Sequence, residues 1–106
     1  MSSRREKIEE MLKSEPQDVF LRYGLAVEYD NEQRYEDSLT LFNGLTKNDP
    51  PHVPSFFRGA QLLAKLDRID EARSVLRDGI EAARKQDNSH AAAEMSEFLA
   101  SLGSLG

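Results

Sequence analysis

A spacing of 34 residues relates two stretches of this 106-residue chain, and it restricts the fold more than any other feature. A step of 34 positions places small residues on small ones and large apolar residues on large apolar ones. The matched pairs are Ala26 with Ala60, Tyr29 with Leu63, Tyr35 with Ile69, Ser38 with Ala72, and Phe42 with Leu76. A fixed period of this length is typical of stacked helical arrays, in which each repeat is one pair of helices.

Apolar residues recur at helical spacing, and turn-forming segments divide the chain into six predicted helices. The predicted helices cover residues 4–14, 18–31, 35–47, 53–66, 69–85 and 89–101. Asp18 is expected to cap the second helix. No apolar–polar alternation of strand length appears, so the expected fold class is all-α, an α-α superhelix of antiparallel helix pairs.

Composition and charge restrict the classes of partner. A formal net charge of -5 argues against nucleic acid and anionic lipid, because both require a basic surface. The absence of cysteine excludes disulfides and cysteine-built zinc sites. No apolar run approaches the roughly 20 residues that cross a bilayer. Because no apolar segment follows the charged first residues either, we expect a single soluble cytoplasmic domain without a signal peptide.

No motif for catalysis, metal or cofactor binding is found. The two histidines, His52 in a proline-rich turn and His90 at the start of the last helix, lack metal-ligand spacing, and we expect His52 at the surface. The acidic pairs Glu36–Asp37 and Asp70–Glu71 begin helices, where the helix dipole favours carboxylates. We therefore expect a protein that is not an enzyme and has no cofactor.

The spacing resembles the tetratricopeptide repeat motif, W-x2-L-G-x2-Y followed by A-x3-F and P within 34 residues. The first copy consists of Leu25-Ala26-x2-Tyr29, Ser38-x3-Phe42 and Pro50. The second consists of Phe56-x2-Gly59-Ala60-x2-Leu63 and Ala72-x3-Leu76. The resemblance implies a small bacterial-type two-repeat protein with one domain over residues 1–106. Its parts would be a half-repeat helix at 4–14, repeats at 19–52 and 53–86, and a capping helix at 89–101.

Antiparallel helices can approach closely where each has a small residue, a role that we assign to Ala26, Ser38, Ala60 and Ala72. Three features depart from the family pattern. Arg22 occupies the tryptophan position of the first repeat. Arg84 replaces the closing proline of the second, which predicts a longer helix there. Gly59 and Gly79 replace larger residues, which predicts a lighter core in the second repeat.

The resemblance implies an adaptor or scaffold that binds a peptide or helix of a partner in a concave groove, lined by the first helix of each pair. The residues at groove positions are Phe20, Tyr23, Val27, Asn31, Phe57, Gln61 and Lys65. Tyr23, Val27 and Gln61 stand where chaperone cofactors carry the Lys and Asn of a carboxylate clamp. We therefore do not expect binding of heat-shock chaperone tails. Arg22, Arg58 and Lys65 add scattered positive charge that would fit an acidic partner, but a solvated surface is the favoured interpretation of all three.

Two alternatives stay open. In the first, the aromatic residues at the groove positions belong to the core and are covered by the terminal helices. This alternative is stronger for Phe20 than for Tyr23 and Phe57. Self-association would instead make the chain a homo-oligomeric structural protein, with Leu62, Leu66, Phe98 and Leu102 as candidate contacts. An enzyme or enzyme subunit is the least favoured function.

Overall fold

Six α-helices follow one another in the computed structural model, which describes residues 3–103. Their bounds are α1 Arg4–Ser14, α2 Val19–Asn31, α3 Tyr35–Thr46, α4 Val53–Lys65, α5 Ile69–Lys85 and α6 Ser89–Gly103. No strand occurs in this part of the chain. The all-α superhelical fold class is confirmed. With 17 residues against 12 in α3, α5 is longer, as expected where Arg84 replaces proline.

The turns repeat along with the helices. Gln33 and Asp67, which are 34 positions apart, both have positive φ angles, 62° and 61°. In each turn the next residue donates its N–H to a carbonyl five residues back, from Arg34 to Tyr29 at 2.8 Å and from Arg68 to Leu63 at 2.9 Å. Asp87, between α5 and α6, repeats this geometry with φ 57°. Such left-handed caps satisfy the last carbonyls of a helix, so three helix pairs close by the same device.

Each helix packs on its neighbour in the chain, and α6 also reaches α4. The four small residues predicted at the helix crossings, Ala26, Ser38, Ala60 and Ala72, are fully buried. The Ser38 hydroxyl donates a hydrogen bond of 2.6 Å to the carbonyl of Ala26. A serine is therefore accepted at this buried position because its polar atom has a partner.

The larger of two core clusters lies under α4, α5 and α6, and the smaller one is formed by Ala26, Phe42 and Leu62. The expectation of a lighter core in the second helix pair is wrong. A Cβ atom added to Gly79 would lie 2.6 Å from Phe56 Cβ and 2.7 Å from Met95 Sδ. Phe56 of α4 and Met95 of α6 therefore occupy the space that a side chain at position 79 would need, and this core is tightly packed.

Candidate functional site

A groove with a volume of about 340 Å³ opens between α2, α4 and α6. We call it the α2/α4/α6 groove. Tyr23 of α2 contributes to its lining together with Phe57 and Gln61 of α4. The α6 wall is formed in part by Ala91 and Glu94. The last helix thus forms part of the groove as well as closing the array.

Three of the seven predicted site residues, Tyr23, Phe57 and Gln61, line this groove. Phe20, in the first turn of α2, is 82% exposed, the most exposed large apolar side chain of the described residues. Val27 is half-buried against the smaller core cluster. Asn31 is exposed, and its amide donates a 3.2 Å hydrogen bond to Glu28. The structure therefore brings only part of the predicted set together.

The two groove aromatics each have one side packed against the protein. The Tyr23 ring meets Phe42 and His52 edge to face, with centroids 5.7 and 5.1 Å away. The Phe57 ring lies 5.9 Å from the ring of Phe98 on α6. The expected order of coverage is thus reversed, because Phe20 is open to solvent while Phe57 is partly covered by a terminal helix.

Lys65 joins helices within the chain. Its Nζ lies 2.7 Å from Asp30 Oδ1 and 4.9 Å above the centre of the Tyr35 ring. The Asp30 side chain is only 11% exposed, and it also has Arg58 at 4.0 Å. This link between α2 and α4 spans 35 residues, so local spacing along one helix gave no sign of it. Lys65 is already paired inside the molecule.

Two residues that the sequence did not place in the site, Arg58 and His90, also line the groove. The Arg58 side chain is 38% exposed, and within residues 3–103 its one ion pair is the long contact with Asp30. His90 is largely exposed, with Nε2 3.3 Å from Glu94 Oε1. Arg58 lies three and seven positions before Gln61 and Lys65. This helical spacing places it on the same face as these two predicted site residues, and it could have identified Arg58 from the sequence.

His52 is half-buried, which makes it more enclosed than the surface position expected of a histidine in a turn. It precedes α4, and its Nδ1 lies 2.8 Å from Oγ of the buried Ser55. Burial, together with the nearby Arg22 cation, lowers the pKa of His52. The imidazole therefore supports the start of α4 in its neutral form.

A second groove of about 380 Å³ lies on α3, α4 and α5. We call it the α3/α5 groove; Leu39, Gly59 and Val75 contribute to its lining. An ion pair of 2.8 Å between Arg68 and Glu36 links α5 to α3 there. Arg68 also binds Glu71 at 2.9 Å. Arg68 and Glu71 of this groove are thus already paired, while Lys47 and Asp78 are its other two charged lining residues.

The proposed contacts for self-association divide into two groups. Leu62 and Leu102 are buried, so a second copy of the chain cannot reach them in the folded state. Leu66 and Phe98 are half-buried against the core clusters.

Across residues 3–103, no helix is both long and apolar enough to cross a bilayer. The same residues include no cluster of three or more side chains suited to a metal ion.

No family model and no curated protein matches the chain. A solution structure of a tetratricopeptide repeat domain protein from Salinibacter ruber has a TM-score of 0.80 and 31% identity, covering 86% of this chain and 92% of that one. A crystal structure of a tetratricopeptide repeat domain protein from the same organism has a TM-score of 0.76 and 30% identity, covering 85% and 100%.

A solution structure of a protein from Bordetella parapertussis has a TM-score of 0.82 at 21% identity, covering 97% of this chain and 90% of that one, and it supports the fold alone. Tetratricopeptide repeat domain proteins such as the two from Salinibacter ruber typically mediate protein interactions and are typically non-catalytic. The resemblance in the sequence is confirmed by these two likenesses, each over most of both chains. The chain therefore belongs to the tetratricopeptide repeat family.

Proposed function

We propose that this chain is a non-catalytic adaptor or scaffold that binds a segment of a partner protein in the α2/α4/α6 groove. The observation that carries the proposal is the groove itself, which combines the rings of Tyr23 and Phe57 with the polar ends of Arg58 and Gln61. Binding sites for peptides and small ligands typically combine an apolar surface with a few polar groups that fix orientation. The proposal takes residues 19–52 and 53–86 as two repeats of a single cytoplasmic domain, with neither nucleic acid nor membrane as a partner.

Phe20 extends the proposed surface along α2. Phe20, Val27 and Asn31 are seven and four positions apart, which puts them on one face of the helix. A phenyl ring that is 82% exposed contributes little to the folded core. Large aromatic side chains left at the surface are typical of interaction sites. The exposed Phe20 ring lowers solubility, and a bound partner that covers the ring removes this effect.

The test is selection of binding peptides from a random 12-residue library by the full chain, followed by affinity measurements on the selected peptides. We expect Phe20→Ser and Gln61→Ala to weaken binding while leaving thermal unfolding unchanged, because both side chains are exposed. The matched control is Thr40→Ala on α3, which lines the α3/α5 groove instead. The proposal is contradicted if no peptide is selected. It is also contradicted if the unaltered chain and the three variants bind the selected peptides with equal affinity.

Self-association through exposed apolar residues is the second candidate. The observation in its favour is that Phe20 and Met11 are the two exposed large apolar side chains of the described residues. Sedimentation velocity over a hundredfold range of concentration separates the two functions. A monomer throughout supports the adaptor, and a dimer that Phe20→Ser dissociates supports self-association.

A further inference from the structure

The charge of α4 differs from that of the rest of the chain. The chain has a net charge of -5, yet α4 is the only one of the six helices without an aspartate or glutamate. Its two charged residues, Arg58 and Lys65, are both cations. Together with Gln61 they lie at i, i+3 and i+7, so one face of α4 carries all of its charge.

The cations of this face lie nearer to solvent than the carboxylate that pairs with them. The Asp30 side chain is 11% exposed, whereas those of Arg58 and Lys65 are 38% and 52% exposed. A partner that approaches α4 therefore meets positive charge first. Since Asp30 is 2.7 Å from Lys65 but 4.0 Å from Arg58, the guanidinium of Arg58 keeps donors for a second acceptor.

Among the described residues, the one carboxylate that lines the groove lies on the opposite wall. Glu94 of α6 faces His90 on its own helix at 3.3 Å, and it is about half exposed. A like charge on the partner is repelled from this wall. An acidic group that enters the groove is therefore directed toward Arg58 on α4, across from Glu94.

We propose that the partner segment is acidic, with an apolar side chain that lies against Tyr23 and Phe57 and a neighbouring carboxylate that pairs with Arg58. This inference rests on the proposed function and states the chemistry of the partner for that site. A guanidinium can bind a carboxylate through two parallel hydrogen bonds, so Arg58 also fixes the register of the segment.

The test uses the same random 12-residue peptide library with the full chain and with Arg58→Glu. We expect the selected peptides to be enriched in Asp and Glu next to a bulky apolar residue, and Arg58→Glu to abolish that enrichment. For individual peptides, Arg58→Gln is expected to weaken binding about tenfold, as for loss of one hydrogen bond to a charged group. Affinity should also fall as sodium chloride is raised from 0.05 to 0.5 M, because salt screens exposed charges.

The control is Arg77→Glu, which makes the same charge change at an exposed position of α5 outside the groove. It should leave both enrichment and affinity unchanged, and far-ultraviolet circular dichroism should be alike for all variants. Selected peptides without an acidic bias, or with affinities indifferent to Arg58→Gln, overturn the inference and leave the proposed function standing. If no peptide is selected by any form of the chain, both fall. A dimer in sedimentation velocity that Arg58→Glu dissociates also overturns the inference, because a second copy of the chain would then occupy the groove.

Discussion

The two terminal helices are attached to the array by different interactions. Ala92, Met95 and Leu102 of α6 are buried, whereas α1 buries none of its residues. Instead, α1 is held by half-buried Ile8 and Leu12 and by an Arg5–Glu32 ion pair of 2.9 Å to the end of α2. Apolar burial contributes more than exposed ion pairs. We therefore expect the groove wall formed by α6 to be preformed and α1 to be the part of the array that opens first.

The largest expected effect is the loss of a buried side chain from α6. Met95 is fully buried in the larger core cluster, so Met95→Ala should lower the free energy of unfolding by about 2–5 kcal/mol. The matched change on α1 is Ile8→Ala, which should cost roughly 1 kcal/mol because Ile8 is only half-buried. Chemical denaturation of both variants measures the difference. Equal losses would contradict the contrast between the two ends.

Alanine at Gly79, which contacts α6, and at Gly24, which contacts α1, should change the free energy of unfolding in opposite directions. Gly79→Ala places a Cβ atom 2.6 Å from Phe56 Cβ, and we expect a net loss of about 1–2 kcal/mol. At Gly24 the added atom meets only Ile8 Cδ1 at 3.5 Å. Since alanine is the better helix former, Gly24→Ala should gain about 0.5–1 kcal/mol. Thermal unfolding midpoints that move in the same direction would show that the close contact at Gly79 relaxes.

The turns at the two ends should also respond differently to glycine. Asp87, before α6, has a φ of 57°, a left-handed conformation that glycine adopts without strain. Asp87→Gly should therefore raise the free energy of unfolding by about 0.5 kcal/mol. Glu15, after α1, has a φ of -133° and needs no glycine. Glu15→Gly should lower stability, and denaturation curves of the two variants must separate in opposite directions.

Acid should loosen α1 in preference to α6, a local change that hardly alters global stability. Ser3 and Glu6 form a capping box, and hydrogen bonds from the backbone and side chain of Ser3 lower the pKa of Glu6. A carboxyl group with a lowered pKa stabilises the folded state above its unfolded pKa of about 4.3 and loses this contribution as pH falls through the folded value. Carbon chemical shifts of α1 should therefore move toward coil below about pH 4.3.

The control for this titration is Glu6→Gln, which keeps a hydrogen-bonding side chain but removes the charge. In that variant the change in α1 shifts should be present already at pH 7 and should be nearly independent of pH. Loss of helical shifts in α6 at a higher pH than in α1 would refute the proposed order of opening.

The sequence was sufficient for features that depend on local spacing. The 34-residue period predicted the six helices and the small residues at the crossings, because these follow from helical geometry. Asp18 was recognised as a cap, and its Oδ1 accepts the N–H of Leu21 at 2.8 Å. Arg84 in place of proline predicted the length of α5. These features require knowledge of one helix or one turn at a time.

Features that join distant residues were missed. The Asp30–Lys65 pair spans 35 positions, so the partner of Lys65 within the chain was not predicted. Gly79 was interpreted as a gap, although Phe56 and Met95 fill the space above it. The packing of His52 against Tyr23 was not predicted, because it depends on how α2 meets the start of α4. Only the three-dimensional arrangement supplies such contacts.

We propose that partners bind in the α2/α4/α6 groove and not in the slightly larger α3/α5 groove. Amide chemical shifts of the full chain, followed during titration with a selected peptide, test it most directly. We predict that the largest shifts cluster around Tyr23, Phe57, Gln61 and Ala91. Shifts concentrated around Leu39 and Val75 would contradict the claim and assign binding to the opposite groove.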